Sequence, residues 1–173
     1  SGDVTAPGVY ELELGSRLSE LVVDLASARD IKMVQIGGAG GRVVPAQMLS
    51  IPLSYETILG SGAVTVFDSK RDVIDIMRRN MEFLAEESCG KCTPCRDGTQ
   101  AMLEILERLT HADGVPADIK AMEDLSKAMS LSALCGLGQS ACVPIVDTLN
   151  YFRSEYESRI EQSLFLRSLA SRF

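Results

Sequence analysis

Three cysteines fall within seven residues, Cys89-Gly90-Lys91-Cys92-Thr93-Pro94-Cys95, and no other stretch constrains the chain as strongly. Thiolates at this C-x-x-C-x-x-C spacing fit three corners of an iron–sulfur cube, and the fourth iron then needs a donor from elsewhere in the fold. Cys135 and Cys142 are the remaining cysteines of the five. Cys135 lies in Leu134-Cys135-Gly136-Leu137-Gly138, where glycines let the backbone come close and bare N–H groups can face cluster sulfides. Cys142 lies in Ser140-Ala141-Cys142-Val143-Pro144 and reads as a small buried hydrophobe at a helix start. The predicted ligand set of a [4Fe-4S] cluster is therefore Cys89, Cys92, Cys95 and Cys135.

Other chemistries fit the cysteines less well. Structural zinc usually takes two separated C-x-x-C pairs or pairs completed by histidine, and His111 is the only histidine here. A thioredoxin-like motif does not call for a third cysteine. A disulfide framework fits neither the odd count nor the clustering. The glycine run from Gly37 to Gly41 matches neither a P-loop nor G-x-G-x-x-G opening a helix, so a turn between strands is expected there. His111 is expected to cap a helix C-terminus. Glu86 and Glu87 precede the cysteines, and Lys91 and Arg96 flank them, as solvated charges or as charges that tune the centre.

Composition bounds the partners. Lys and Arg total 17 against 24 Asp and Glu, a net charge of −7, which argues against a nucleic-acid partner because phosphate binding needs a basic face. No apolar run approaches the ~20 residues of a membrane span, and the first residues resemble no signal peptide, so a cytoplasmic location is expected, free or peripheral to a membrane complex. Hydrophobic residues make up 46% and aromatics 5%, with no Trp, so the core must be aliphatic.

The hydrophobic period changes near Asp68, which predicts an α+β chain: a small mixed lobe over 1–68, then a four-helix bundle over 69–173 carrying the cluster. In the lobe, strands are expected over 8–14, 31–36 and 63–67. A helix capped by Ser16 is expected to turn Leu18, Leu21, Val22, Leu25 and Ala26 inward. Beyond it, helices are expected over 71–87, with Val73, Ile76, Met77, Met81 and Leu84 on the inward face, over 97–110, with Met102, Ile105, Leu106 and Leu109 inward, and over 117–130, with a last long helix from Pro144 towards Phe173 that has room for a break. Cys135-Gly136-Leu137-Gly138 is expected to break the helical run.

Glu87-Ser88-Cys89-Gly90-Lys91-Cys92-Thr93-Pro94-Cys95-Arg96-Asp97-Gly98-Thr99 closely resembles the cluster motif of the flavin-bearing, NADH-oxidising subunit of respiratory complex I. The same motif occurs in diaphorase subunits of NAD-reducing hydrogenases, in NAD-dependent formate dehydrogenases and in electron-bifurcating hydrogenases. Leu134-Cys135-Gly136-Leu137-Gly138-Gln139-Ser140-Ala141 resembles the fourth-ligand segment of the hydrogenase-type members. Gly2-Asp3-Val4, Pro7-Gly8-Val9-Tyr10 and Leu59-Gly60-Ser61-Gly62-Ala63-Val64 resemble the family's soluble-ligand-binding β-grasp domain, in this context usually a spacer.

The resemblance implies an electron-transfer portion of an NAD(P)H-linked oxidoreductase. A flavin, FMN, takes a hydride from a nicotinamide and gives up single electrons through the cluster to further iron–sulfur centres. It implies partners too: a flavin- and NAD(H)-binding domain or subunit, a [2Fe-2S] thioredoxin-like subunit and other iron–sulfur subunits. Nothing in the chain resembles the upstream domain that binds FMN and NAD(H), so this portion by itself is not expected to oxidise NADH, and no catalytic acid or base is predicted. Two rival readings are a docking module clamped by zinc or a cluster without a redox role, and a small-ligand sensor built on the β-grasp lobe.

Overall fold

The computed structural model describes residues 1–170 and divides into two compact units, Ser1–Arg71 and a second beginning at Asp72. Its class is α+β: a three-stranded antiparallel sheet in the first unit and six α-helices in the second, among the described residues.

The sheet has the order β2-β1-β3, with β1 at Ile31–Ile36, β2 at Arg42–Pro45 and β3 at Val64–Asp68. Val34 sits opposite Val44 on one side and Val66 on the other, which puts three β-branched side chains across the middle of the core. Gly37 to Gly41 form the β1–β2 hairpin loop, the turn expected from the glycine run, and the Gln35 amide donates to the Gly38 carbonyl at 3.0 Å. The segment expected to be a helix from Ser16 contains a π-helix at Glu20–Leu25 instead, with the Ala26 N–H bonded to the Leu21 carbonyl at 2.9 Å. The wider turn changes which residues share a face. Leu18, Val22 and Ala26, four residues apart, are buried, while Leu25 rotates out to 38% exposure.

Residues 8–14 form no strand, against expectation. Their alternation half-buries Tyr10 and Leu12, yet offers no ladder partner. The far edge of β3 is taken by a bridge from Gly2 to Val66, and the Tyr10 hydroxyl bends back to the Ala6 carbonyl at 2.5 Å. Alternation selects a face; it does not supply hydrogen-bond partners.

The second unit contains α1 at Val73–Glu86, α2 at Thr93–Thr110, α3 at Ala117–Ser132, α4 at Gly136–Ser140, α5 at Val143–Tyr151 and α6 at Arg153–Ala170. Six helices replace the four expected. The last long helix is broken at Phe152, whose N–H bonds back to the Thr148 carbonyl at 2.8 Å before α6 restarts at Arg153. The inward faces predicted for α1 and α2 are the buried ones: Met77 and Met81 on α1 and Met102, Leu106 and Leu109 on α2 are buried, as are Met122, Met129 and Tyr156. Each such side chain removed from water contributes about 1.5–3 kcal/mol. Unbranched methionines fill the gaps that a core without Trp leaves. The Tyr156 hydroxyl, fully buried, bonds to Thr148 Oγ1 at 2.8 Å, and burial pushes its phenol well above the ordinary value.

Asp72 starts α1 by accepting from the Ile74 and Asp75 N–H groups at 2.8 and 3.1 Å, and Arg159 of α6 bonds its other oxygen. One carboxylate thus caps one helix and ties down another. At the far end of α2, His111 Nδ1 lies 2.8 Å from the Glu107 carbonyl, a C-terminal capping position as expected. No helix among the described residues is long and apolar enough to cross a membrane.

Candidate metal centre

The site is made of two short connections and the helix starts that follow them. The first joins α1 to α2. After the C-cap residue Glu87 comes Ser88, then Cys89 exposed in the turn, and Gly90 at φ +73 reverses the chain. A side chain at that φ would be strained, so glycine is the residue that makes the turn between the first two cysteines cheap. Cys92 then takes the N-cap position of α2, with extended backbone at φ −113 and ψ 134. Pro94 lies in the first turn, where its missing N–H costs nothing, and Cys95 follows within that turn, buried. Helix α2 therefore begins four residues earlier than expected. The cysteine run reads as a loop in sequence, whereas its second half is helical.

The second connection joins α3 to α4. Cys135 is the N-cap of α4, extended at φ −139 and ψ 169, and is exposed. The segment expected to break the helical run is this short helix. It is closed by the Gln139 N–H to the Cys135 carbonyl at 3.1 Å and latched by the Gln139 amide to the Ala133 carbonyl at 3.0 Å.

Two observations bring these connections together. The main chain at Leu134, one residue before Cys135, is the largest influence on the Cys92 thiol and lowers its pKa. With the Cys95 main chain, and with the Arg96 charge in support, it outweighs burial and holds the Cys92 pKa below the ordinary thiol value. The second observation is steric. A Cβ on Gly138 would lie 2.9 Å from the Cβ of Cys95 and 2.6 Å from that of Ala133. Only a residue without a side chain lets α4 seat against the first turn of α2.

Arg96 bonds Asp97 at 2.7 Å and the Gly90 carbonyl at 3.2 Å, so the guanidinium is both an ion-pair partner and a brace across the cysteine turn. The Thr99 hydroxyl donates back to the Cys95 carbonyl at 2.8 Å. Cys142 stands apart from the exposed cysteines. It is buried at the N-cap of α5, its thiol donates to Met129 Sδ at 3.4 Å, and burial pushes its pKa up to about 11. Sequence reasoning missed Ser88, whose hydroxyl lies 3.3 Å from Cys95 Sγ; its place directly before the first cysteine was the available signal. Among the described residues, no three histidine, cysteine, aspartate or glutamate side chains stand close enough together to hold a single metal ion.

The donor set suits an iron–sulfur cofactor. It consists of thiols at or beside helix starts, one of them biased towards thiolate by the main chain around it. Fold and site together define an iron–sulfur module on an α+β frame. Residues 75–159 match the iron–sulfur binding region of NADH-ubiquinone oxidoreductase-F, and this part of the chain belongs to that family. The cofactor of this region is a [4Fe-4S] cluster.

The NADP-reducing hydrogenase subunit HndC of Solidesulfovibrio fructosivorans is 33% identical over 171 residues, which is 93% of this chain and 35% of that one. An NADH-quinone oxidoreductase subunit of Escherichia coli (strain K12) is 35% identical over 173 residues, 94% of this chain and 39% of that one. In the crystal structure of an NAD+-reducing [NiFe]-hydrogenase in the H2-reduced state, a chain 36% identical superposes with a TM-score of 0.88 over 92% of this chain and 28% of that one. The chain thus spans under half the length of the relatives it matches, which are oxidoreductases linked to NADP or NADH. It carries the iron–sulfur, electron-transfer part of such proteins.

Proposed function

We propose that Cys89, Cys92, Cys95 and Cys135 hold one [4Fe-4S] cluster, and that single electrons pass through it between a flavin on a part outside this chain and further iron–sulfur centres. Bound there, the cluster supplies a site that accepts and releases one electron at a time. The chain's own part is positioning and tuning. Cys95 anchors the buried side, and Gly138 leaves α4 the room to seat against it. Cys89 and Cys135 occupy the exposed side, where a partner's redox group can approach. The main chain at Leu134 and Cys95 favours the Cys92 thiolate.

The single observation that supports the reading is the close approach of Gly138 to Cys95, where an added Cβ would lie 2.9 Å from that of Cys95, because Cys135 starts the same short helix three residues earlier. The Cys142 thiol is engaged with Met129 Sδ at 3.4 Å, whereas Cys135 is exposed at the start of α4, which favours Cys135 as the fourth donor. In this reading residues 1–68 serve as a β-grasp spacer and 69–173 as the cluster-binding domain. The partners are a flavin- and NAD(H)-binding domain or subunit and a [2Fe-2S] thioredoxin-like subunit, in the cytoplasm or on the periphery of a membrane complex.

The test uses the chain purified without oxygen. About four irons and four sulfides per chain are expected, with an EPR signal absent when oxidised and present after dithionite. Cys135→Ser loses iron, sulfide and signal together; Cys142→Ser keeps them. Zinc without sulfide, and no signal, would replace this reading with a structural clamp.

A further inference from the structure

We propose that the Ser88 hydroxyl donates a hydrogen bond to the Cys95 thiolate and so raises the reduction potential of the centre that Cys95 helps to hold. The inference rests on the ligand set proposed above and concerns a residue outside it. Ser88 Oγ lies 3.3 Å from Cys95 Sγ, and the same oxygen takes the Gly90 N–H at 3.4 Å. Ligation sets the direction of the bond, because a thiolate has no proton to give. With the oxygen accepting from Gly90, the hydroxyl proton is left to point at the sulfur.

The surroundings make the bond matter. Of the four motif cysteines, Cys95 alone is buried, at 4% exposure, so its sulfur has little water to draw on. Ser88 is held on both flanks: its own N–H bonds the Ala85 carbonyl at the end of α1 at 3.3 Å, and the positive φ of Gly90 turns that residue's N–H back towards it. One-electron reduction adds negative charge that the ligand sulfurs share. A donor at 3.3 Å therefore stabilises the reduced form more than the oxidised one.

The experiment is an EPR-monitored redox titration of the full chain carrying its cluster, compared with Ser88→Ala, Ser88→Val and Ser88→Thr. Valine and threonine share shape and branching and differ by the hydroxyl, so that pair isolates the hydrogen bond. Ser88→Ala and Ser88→Val are expected to disfavour the reduced form about three- to tenfold at a fixed potential, a midpoint lowered by about 30–60 mV for one electron. Ser88→Thr is expected to stay at the unsubstituted value. Equal midpoints for the threonine and valine variants would overturn the proposal. Loss of the cluster from both hydroxyl-free variants, with retention in Ser88→Thr, would also overturn it, by showing a structural clamp. An unsubstituted chain that binds no iron and sulfide would instead overturn the ligand reading beneath it.

Discussion

The sheet unit and the helical unit draw on the same aliphatic residues and end with different capacities. In Ser1–Arg71 the core of Leu18, Val22, Val34, Val44 and Val66 is closed by short strands and turns, and the strongest polar contacts hold the chain to itself. Asp3 pairs with Arg71 at 2.5 Å, and Lys32 reaches the Arg71 carbonyl at 2.7 Å. In the unit that begins at Asp72, long helices carry the packing, so the connections between them are free to hold sulfur. Cys92, Cys135 and Cys142 all occupy helix N-cap positions. A thin sheet needs its turns to close its strands; a packed helical core leaves its connections available for chemistry.

The sharpest way to break that comparison is to open the helical core. Leu106→Ala removes a fully buried side chain and is expected to cost about 2–5 kcal/mol in denaturant unfolding, with a fall in iron bound per chain. Leu18→Ala in the sheet unit is expected to cost a similar amount and leave iron content unchanged. Equal iron loss in both would mean that the site depends on the two units alike.

Gly138→Ala comes next. Its methyl would crowd Cys95 and Ala133, and overpacking of this kind costs about 1–3 kcal/mol. Cluster loading is expected to fall further than this stability loss alone accounts for, whereas Gly136→Ala, in open space, keeps both.

Asp72→Ala is smaller, about 0.5–2 kcal/mol for a lost cap. It also changes the acid limb. Burial would raise the Asp72 pKa, but the Asp75 N–H, the Arg159 charge and hydrogen bond, and the Ile74 N–H together outweigh it and hold the value low. A carboxylate with a depressed folded pKa stabilises in full above its unfolded value, about 3.9, and loses that contribution as pH falls through the folded one. The loss of stability between pH 5 and 2 is therefore expected to be shallower in Asp72→Ala, as read by urea midpoints across that range.

The smallest effect is on reactivity alone. In metal-free protein at neutral pH, iodoacetamide is expected to modify Cys92 well before Cys142, because hydrogen bonds favour the first thiolate and burial suppresses the second. Peptide mapping by mass spectrometry reads the order, and modification of Cys142 first would contradict the division between open and buried thiols.

Much of this was legible in the sequence. Periodicity placed the inward faces of α1 and α2, and the α+β class followed from the change of period near Asp68. The three-residue spacing of the cysteines singled out the loop, and the glycines around Cys135 singled out the second segment. The misreadings have physical causes. Alternation over residues 8–14 encodes a face but no pairing partner, and the π-turn departs from the 3.6 residues per turn on which an amphipathic helix is recognised. The break that the last helix had room for falls at Phe152, a position that no proline or glycine announces. Ser88 could not be read as a donor before Cys95 was seen within reach of it.

The main chain at Leu134, which lowers the pKa of the Cys92 thiol, carries a consequence for how this chain can vary. A main-chain group has no codon of its own. Any residue except proline at position 134 carries the same N–H, and Leu134 itself, 74% exposed, is free to drift with whatever surface it meets. A partner face there can be rewritten over generations while the effect on the thiol is inherited unchanged.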